Sequence, residues 1–199
     1  MNRKIFSPVI CYKGKRNYLH GTDISDCLIR TIKKYDSLSI KFLRVISTNL
    51  DFYFVNQNEL KKFRLQNTIS VLLNYTYKGE SLFVAGLENK LKVNCNVKDY
   101  EKQIINSSTL NSSEVSSINH GNGTLVDKIV VMNKFLLSSL FENNNWLFTQ
   151  LDLYCPFPEK IHEIKIKYNV SLGAMLYKSS IFFNKVEIGS IMFSKVQGE

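Results

Sequence analysis

The chain has 199 residues, 44% of them hydrophobic and 22% charged, with a formal net charge of +9 and a pI near 9.3. That balance is ordinary for a globular protein with a real core. No apolar run approaches the roughly 20 residues that span a bilayer, and Met1-Asn2-Arg3-Lys4-Ile5-Phe6-Ser7-Pro8 carries no apolar leader stretch or cleavage site, so a soluble, cytoplasmic protein without membrane insertion is expected.

In chain order, Ser7 to Cys11 reads as extended and is followed by the basic turn Lys13-Gly14-Lys15-Arg16. A helix is predicted over about 23–35: Thr22 or Asp23 can cap it, Asp23 and Asp26 suit its positive end, and Ile24, Leu28 and Ile32 repeat every four residues. Strands are predicted from Ile40 to Ile46 and from Leu50 to Val55, where Leu50, Phe52 and Phe54 share a face. After a basic connector around Lys61-Lys62-Phe63-Arg64, the alternation Ile69, Val71, Leu73, Tyr75, Tyr77 turns at Lys78-Gly79 and returns through Leu82 to Ala85 as a long hairpin.

The order then repeats. Asp127 to Val131 is extended or leads into a helix, and Phe135, Leu136 and Leu140 give an apolar face over about 132–141. Trp146, Phe148, Leu151 and Leu153 mark a strand ended by Pro156 and Pro158. Ile164 to Leu172 alternate, and Met175 to Phe183, an Asn184-Lys185 turn and Val186 to Val196 form a second long hairpin. Helices and hairpin turns recur at an offset of about 105 to 110 residues. The reading is therefore a first unit at 1–100, an Asn- and Ser-rich mobile linker at 101–126 that contains His120, and a second unit at 127–199.

Cys11, Cys27, Cys95 and Cys155 stand singly, with no CxxC pair and no histidine at zinc-site spacing, so four reduced thiols are expected. His20, His120 and His162 are too few and too scattered for a multi-histidine metal centre. Nucleotide-loop, GxGxxG, GxSxG and HExxH patterns are absent, and no metal or cofactor is expected. Asn74-Tyr75-Thr76 and Asn122-Gly123-Thr124 fit the glycosylation triplet but reflect composition. The cations are dispersed and match no nucleic-acid motif, so most are read as solvated surface and a nucleic-acid partner is not favoured.

A helix followed by long antiparallel strands, twice over, is α+β architecture. This element order resembles the hotdog superfamily in its double-hotdog form: two tandem hotdog-like units, each a long antiparallel sheet wrapped on a central helix. The resemblance implies an acyl-thioester processing enzyme, a dehydratase or thioesterase, acting on acyl-CoA or an acyl carrier protein, and is compatible with a homodimer. It implies a site between the units near a helix N-terminus, where backbone N–H groups polarise the thioester carbonyl.

Carried onto this chain, His20 becomes the general base or acid, since the unperturbed pKa of histidine lies near neutrality. Asp23 becomes an acid, a base or the residue that orients His20, and Gly21 and Thr22 line the carbonyl at the helix start. Asn133 could hold a carbonyl or a water, and Lys13, Lys15, Arg16 and Lys134 are candidate phosphate contacts. In a dehydration His20 would remove the proton alpha to the thioester; in a hydrolysis His20 or Asp23 would activate water. The pattern departs from hotdog dehydratases in one respect: the second helix has no acid near its start except Asp127. The alternative is a non-catalytic basic protein that binds an acidic carrier protein, a nucleic acid or a partner subunit.

Overall fold

A computed structural model describes residues 3–118, 122–142 and 144–196 of the chain, which divides into two compact units, Met1–Asp99 and Tyr100–Glu199. His120 lies outside the described residues. Among the described residues no helix is long and apolar enough to cross a membrane.

The first unit runs β1 (Arg3–Phe6), β2 (Tyr12–Lys13), α1 (Gly21–Ile32), β3 (Ser37–Phe42), β4 (Leu50–Val55), α2 (Gln57–Gln66), β5 (Ile69–Tyr77), β6 (Glu80–Glu88) and β7 (Asn96–Val97). Its sheet has the order β1-β4-β6-β5-β3, antiparallel throughout. Strands β4 and β5 keep the expected bounds because Leu50, Phe52 and Phe54 in the one and Ile69, Val71, Leu73, Tyr75 and Tyr77 in the other recur at every second position, although Val55 and Leu72 are buried out of phase. The β5–β6 turn places Lys78 and Gly79 at φ of 52° and 79°; two positive φ values in a two-residue loop match the twist of the flanking strands. β3 stops short of its expected end at Ile46, whose carbonyl instead accepts the Leu19 N–H at 2.7 Å in a loop.

The basic connector is a correction. It forms α2, capped by the Asn56 side chain on the Asn58 N–H at 3.3 Å. Leu60 and Phe63 pack with Val55, Ile69, Leu72 and Ala85 on one face of the sheet, while Lys61, Lys62 and Arg64 stay exposed. Only Leu60 and Phe63 form its packed face, so the helical period is too weak to read, and packing of this small face against the sheet decides the structure.

The second unit runs α3 (Glu101–Asn106), β8 (Ser108–Asn111), β9 (Glu114–Ile118), α4 (Leu125–Leu140), β10 (Asn145–Leu153), β11 (Glu163–Leu172), β12 (Leu176–Phe183) and β13 (Val186–Val196). Its sheet has the order β10-β13-β12-β11-β9-β8, again antiparallel. The segment read as a mobile linker thus carries a helix and a hairpin over 101–118. Single buried residues, Ile104 and Val115, anchor them, and single anchors leave no periodicity to detect.

α4 starts earlier than expected. A capping box, Thr124 Oγ1 accepting the Asp127 N–H at 3.1 Å and Asp127 Oδ2 accepting the Thr124 N–H at 3.2 Å, sets its first turn. The helix packs on β9, β10, β11 and β13. Ile129, Met132, Leu136 and Leu137 are fully buried, each stabilising the unit by about 1.5–3 kcal/mol relative to an exposed side chain. The Asn184-Lys185 turn, at φ of 50° and 72°, mirrors Lys78-Gly79 in the first unit.

Candidate functional site: a helix N-terminus in the first unit

α1 begins one residue after His20, which takes the N-cap position in extended geometry (φ −78°, ψ 132°). Its carbonyl accepts the Asp23 N–H at 3.1 Å. The first N–H groups of a helix have no intrahelical acceptor, so Gly21 and Thr22 supply donors at the positive end of the helix dipole.

Four of the candidate residues converge here. The Lys13 ammonium lies 3.0 Å from Asp23 Oδ1 and donates to Thr22 Oγ1 at 3.1 Å. The same Thr22 hydroxyl lies 2.8 Å from His20 Nδ1. Thr22 is fully buried and Lys13 is only 5% exposed. A buried ammonium persists only when its charge is paired and its protons are bonded; Asp23 pairs the charge, and Asp23 and Thr22 take two of the three protons. Lys13 is therefore an internal charge of the site. Lys15 is exposed. Arg16 is held by Asp99 at 2.5 Å, and Lys134, in the second unit, by Glu101 at 2.8 Å.

The loop that presents Lys13 is tied down on several sides. β2 pairs in parallel with β7, Tyr12 against Asn96 and Lys13 against Val97. The Tyr12 hydroxyl donates to the Ser47 carbonyl at 2.8 Å, and Arg16 Nη1 donates to the Lys13 carbonyl at 3.4 Å. Gly14 takes a φ of 63°, a left-handed conformation that suits glycine, and its carbonyl accepts from the Asn96 side chain. Cys11 and Cys95 form a disulfide next to the paired strands. This corrects the expectation of four thiols: 84 residues separate the two cysteines, so no local spacing marks them, and the β2–β7 pairing brings them together.

Cys27 and Cys155 are free. Burial raises the Cys27 pKa, outweighing the opposing effects of Thr31 and Arg30, so this thiol is a poor nucleophile at neutral pH. On the buried part of α1, Ser25 is fully buried and its hydroxyl has no hydrogen-bond partner. In the second unit Asn133 is fully buried within α4, and neither carboxamide atom has a partner. Burial lowers the pKa of Lys128 on the same helix. Among the described residues no group of three or more His, Cys, Asp or Glu side chains is placed to hold a metal ion.

Sequence reasoning located His20, Thr22 and Asp23 through the helix-start signal. It missed the inward course of Lys13, the role of Asp99 and the disulfide, all of which depend on partners remote in the chain. The Thr124-x-x-Asp127 box was the one local signal available for the start of α4.

No protein-family model matches the chain, and no curated protein matches it in sequence. Among solved structures it is similar to the dehydratase domain of PpsC from Mycobacterium tuberculosis in complex with C12:1-CoA, at 5% identity and a TM-score of 0.48 over 90% of this chain and 85% of that one. It is also similar to a protein described as an oleoyl thioesterase from Lactobacillus plantarum, at 8% identity and a TM-score of 0.48 over 100% and 95%. A third is the TesB protein of Mycobacterium avium subspecies paratuberculosis, at 10% identity and a TM-score of 0.46 over 94% and 89%.

Proposed function

We propose that the chain is an acyl-thioester processing enzyme of dehydratase or thioesterase type, built from two tandem hotdog-like units and acting on acyl-CoA or an acyl carrier protein. One observation carries the reading: His20, an imidazole, stands at the N-cap of α1 and is hydrogen-bonded at 2.8 Å to Thr22, which a buried ammonium holds in turn. The helix start offers N–H donors to a thioester carbonyl, and the imidazole beside them can give a hydrogen bond or a proton to the reacting group. In both units a helix precedes long antiparallel strands, with α2 inserted between β4 and β5 in the first unit, and this shared order supports the tandem arrangement.

In this reading Asp23 acts through Lys13, and Gly21 allows close approach of the substrate. Lys15 is the exposed cation left for a phosphate-bearing carrier. The alternative, a basic binding surface, is weakened because Lys13 is buried and Arg16 is paired.

The test is a panel of acyl-CoA and acyl-carrier thioesters followed by mass spectrometry, with His20→Ala alongside. Turnover should fall about 10²- to 10⁴-fold in the variant, with the circular dichroism spectrum unchanged. A folded wild-type protein that turns over none of the panel refutes the enzyme reading and leaves the binding alternative.

A further inference from the structure

We propose that Lys13 and Thr22 are positioning residues that lock His20 in one tautomer, with the neutral imidazole carrying its proton on Nε2. A threonine hydroxyl has one proton to give and two lone pairs to receive. Thr22 is fully buried, and the partners of its hydroxyl are Lys13 Nζ at 3.1 Å and His20 Nδ1 at 2.8 Å.

An ammonium can only donate, and Lys13 remains an ammonium because the Asp23 carboxylate is 3.0 Å away. It therefore occupies a lone pair of Thr22 Oγ1. The hydroxyl proton has one acceptor left, His20 Nδ1. Were Nδ1 protonated instead, the hydroxyl would face two donors, and its own proton would be buried without an acceptor, an arrangement folded proteins avoid. So Nδ1 accepts from Thr22, and Nε2 holds the proton.

Lys13 cannot turn away to relax this order. It is 5% exposed, its strand is paired with β7, and its carbonyl is held by Arg16. The polarity runs one way, from ammonium to hydroxyl to imidazole.

For the chemistry of the site, and resting there on the acyl-thioester reading, the neutral imidazole acts first as a donor. Nε2–H gives a hydrogen bond to the thioester carbonyl oxygen, together with the N–H groups at the start of α1. His20 thus belongs to the electrophilic side of the site. It is not the resting base that removes a proton alpha to the carbonyl, since Nε2 has no lone pair to offer in this tautomer.

Long-range ¹H–¹⁵N correlation of the histidine rings tests the proposal on the intact protein, the His20 signals being assigned by their loss in His20→Ala. At a pH where the ring is neutral, wild type should show Nδ1 as the bare, pyridine-like nitrogen and Nε2 as the protonated one, with no averaging. Thr22→Ser keeps the hydroxyl and should keep this spectrum. Thr22→Val keeps the shape without the hydroxyl and should shift both nitrogens toward the averaged values of a free imidazole. A wild-type Nδ1 that is protonated, or averaged as in free histidine, overturns the proposal even where Thr22→Val fails to fold.

The kinetic arm separates the two readings. In a turnover assay Thr22→Val should lower kcat at least tenfold with KM changed less than threefold; an unchanged kcat refutes the catalytic half. Absence of any thioester turnover refutes the proposed function and leaves the tautomer result standing.

Discussion

Severing the Cys11–Cys95 bond tests how the loop that carries Lys13 is fastened. The bond joins residues 84 apart in sequence, and closing a loop of that length removes about 4.5 kcal/mol of chain entropy from the unfolded state at 25 °C. The parallel pairs Tyr12–Asn96 and Lys13–Val97 remain when the bond is cut, as does the Arg16–Asp99 ion pair. Real cross-links usually deliver less than the loop figure, so the double variant Cys11→Ser, Cys95→Ser should lose about 2–4 kcal/mol. For a chain of this size that lowers the Tm by about 5 to 15 °C.

Calorimetry or urea unfolding measures the loss, and alkylation checks its cause. Under denaturing, non-reducing conditions an alkylating agent should add two labels, on Cys27 and Cys155, and four after reduction. Four labels before reduction, on protein prepared without reductant, refute the disulfide. A double variant melting within about 1 °C of wild type refutes the claim that the tie holds the unit.

Three further perturbations address both units. A Cβ at Gly189 would sit 2.1 Å from the Asp152 carbonyl oxygen on the paired strand; backbone must shift, so Gly189→Ala should cost about 3 kcal/mol in urea unfolding, and wild-type stability would contradict the close approach. Burial alone would raise the Glu88 pKa, but the N–H groups of Ser47 and Thr48 and the hydroxyls of Thr48 and Ser70 hold its carboxylate below the ordinary range. Its stabilisation is therefore present above the unfolded-state pKa and lost as pH falls through the folded one, so Glu88→Gln should flatten the acid limb of stability against pH, and an unchanged limb counts against the network. Asn133→Leu replaces a buried carboxamide without partners by an apolar side chain of similar size and should raise stability by about 1–2 kcal/mol; a lower Tm would mean that the amide is satisfied by a bound water or ligand.

The parts of the fold legible in the sequence are those with a local cause. β4, β5 and β13 keep their expected bounds because alternation and positive-φ turns are encoded within a few residues. α1 was placed within two or three residues at each end by its cap and its period of four. α2 was missed since Leu60 and Phe63 are its whole apolar face, and the 101–118 segment was missed since Ile104 and Val115 act alone. In both cases burial against a remote strand, not local pattern, fixes the structure.

The run Lys13-Gly14-Lys15-Arg16 carries the same argument into the site. The three cations look alike in sequence, and a run of charge reads as one surface feature. The structure gives them three fates: Lys13 turns inward to Asp23 and Thr22, Lys15 faces solvent, and Arg16 reaches Asp99. What separates them is the pairing of two-residue strands and a disulfide whose partners lie more than 80 residues further on. The consequence is chemical. A lysine on the surface would recruit a phosphate, whereas the same lysine beneath α1 fixes a threonine proton and, through it, the histidine tautomer. The net charge of +9 is thus a poor guide to this site, because the cation nearest His20 spends its charge inside the unit.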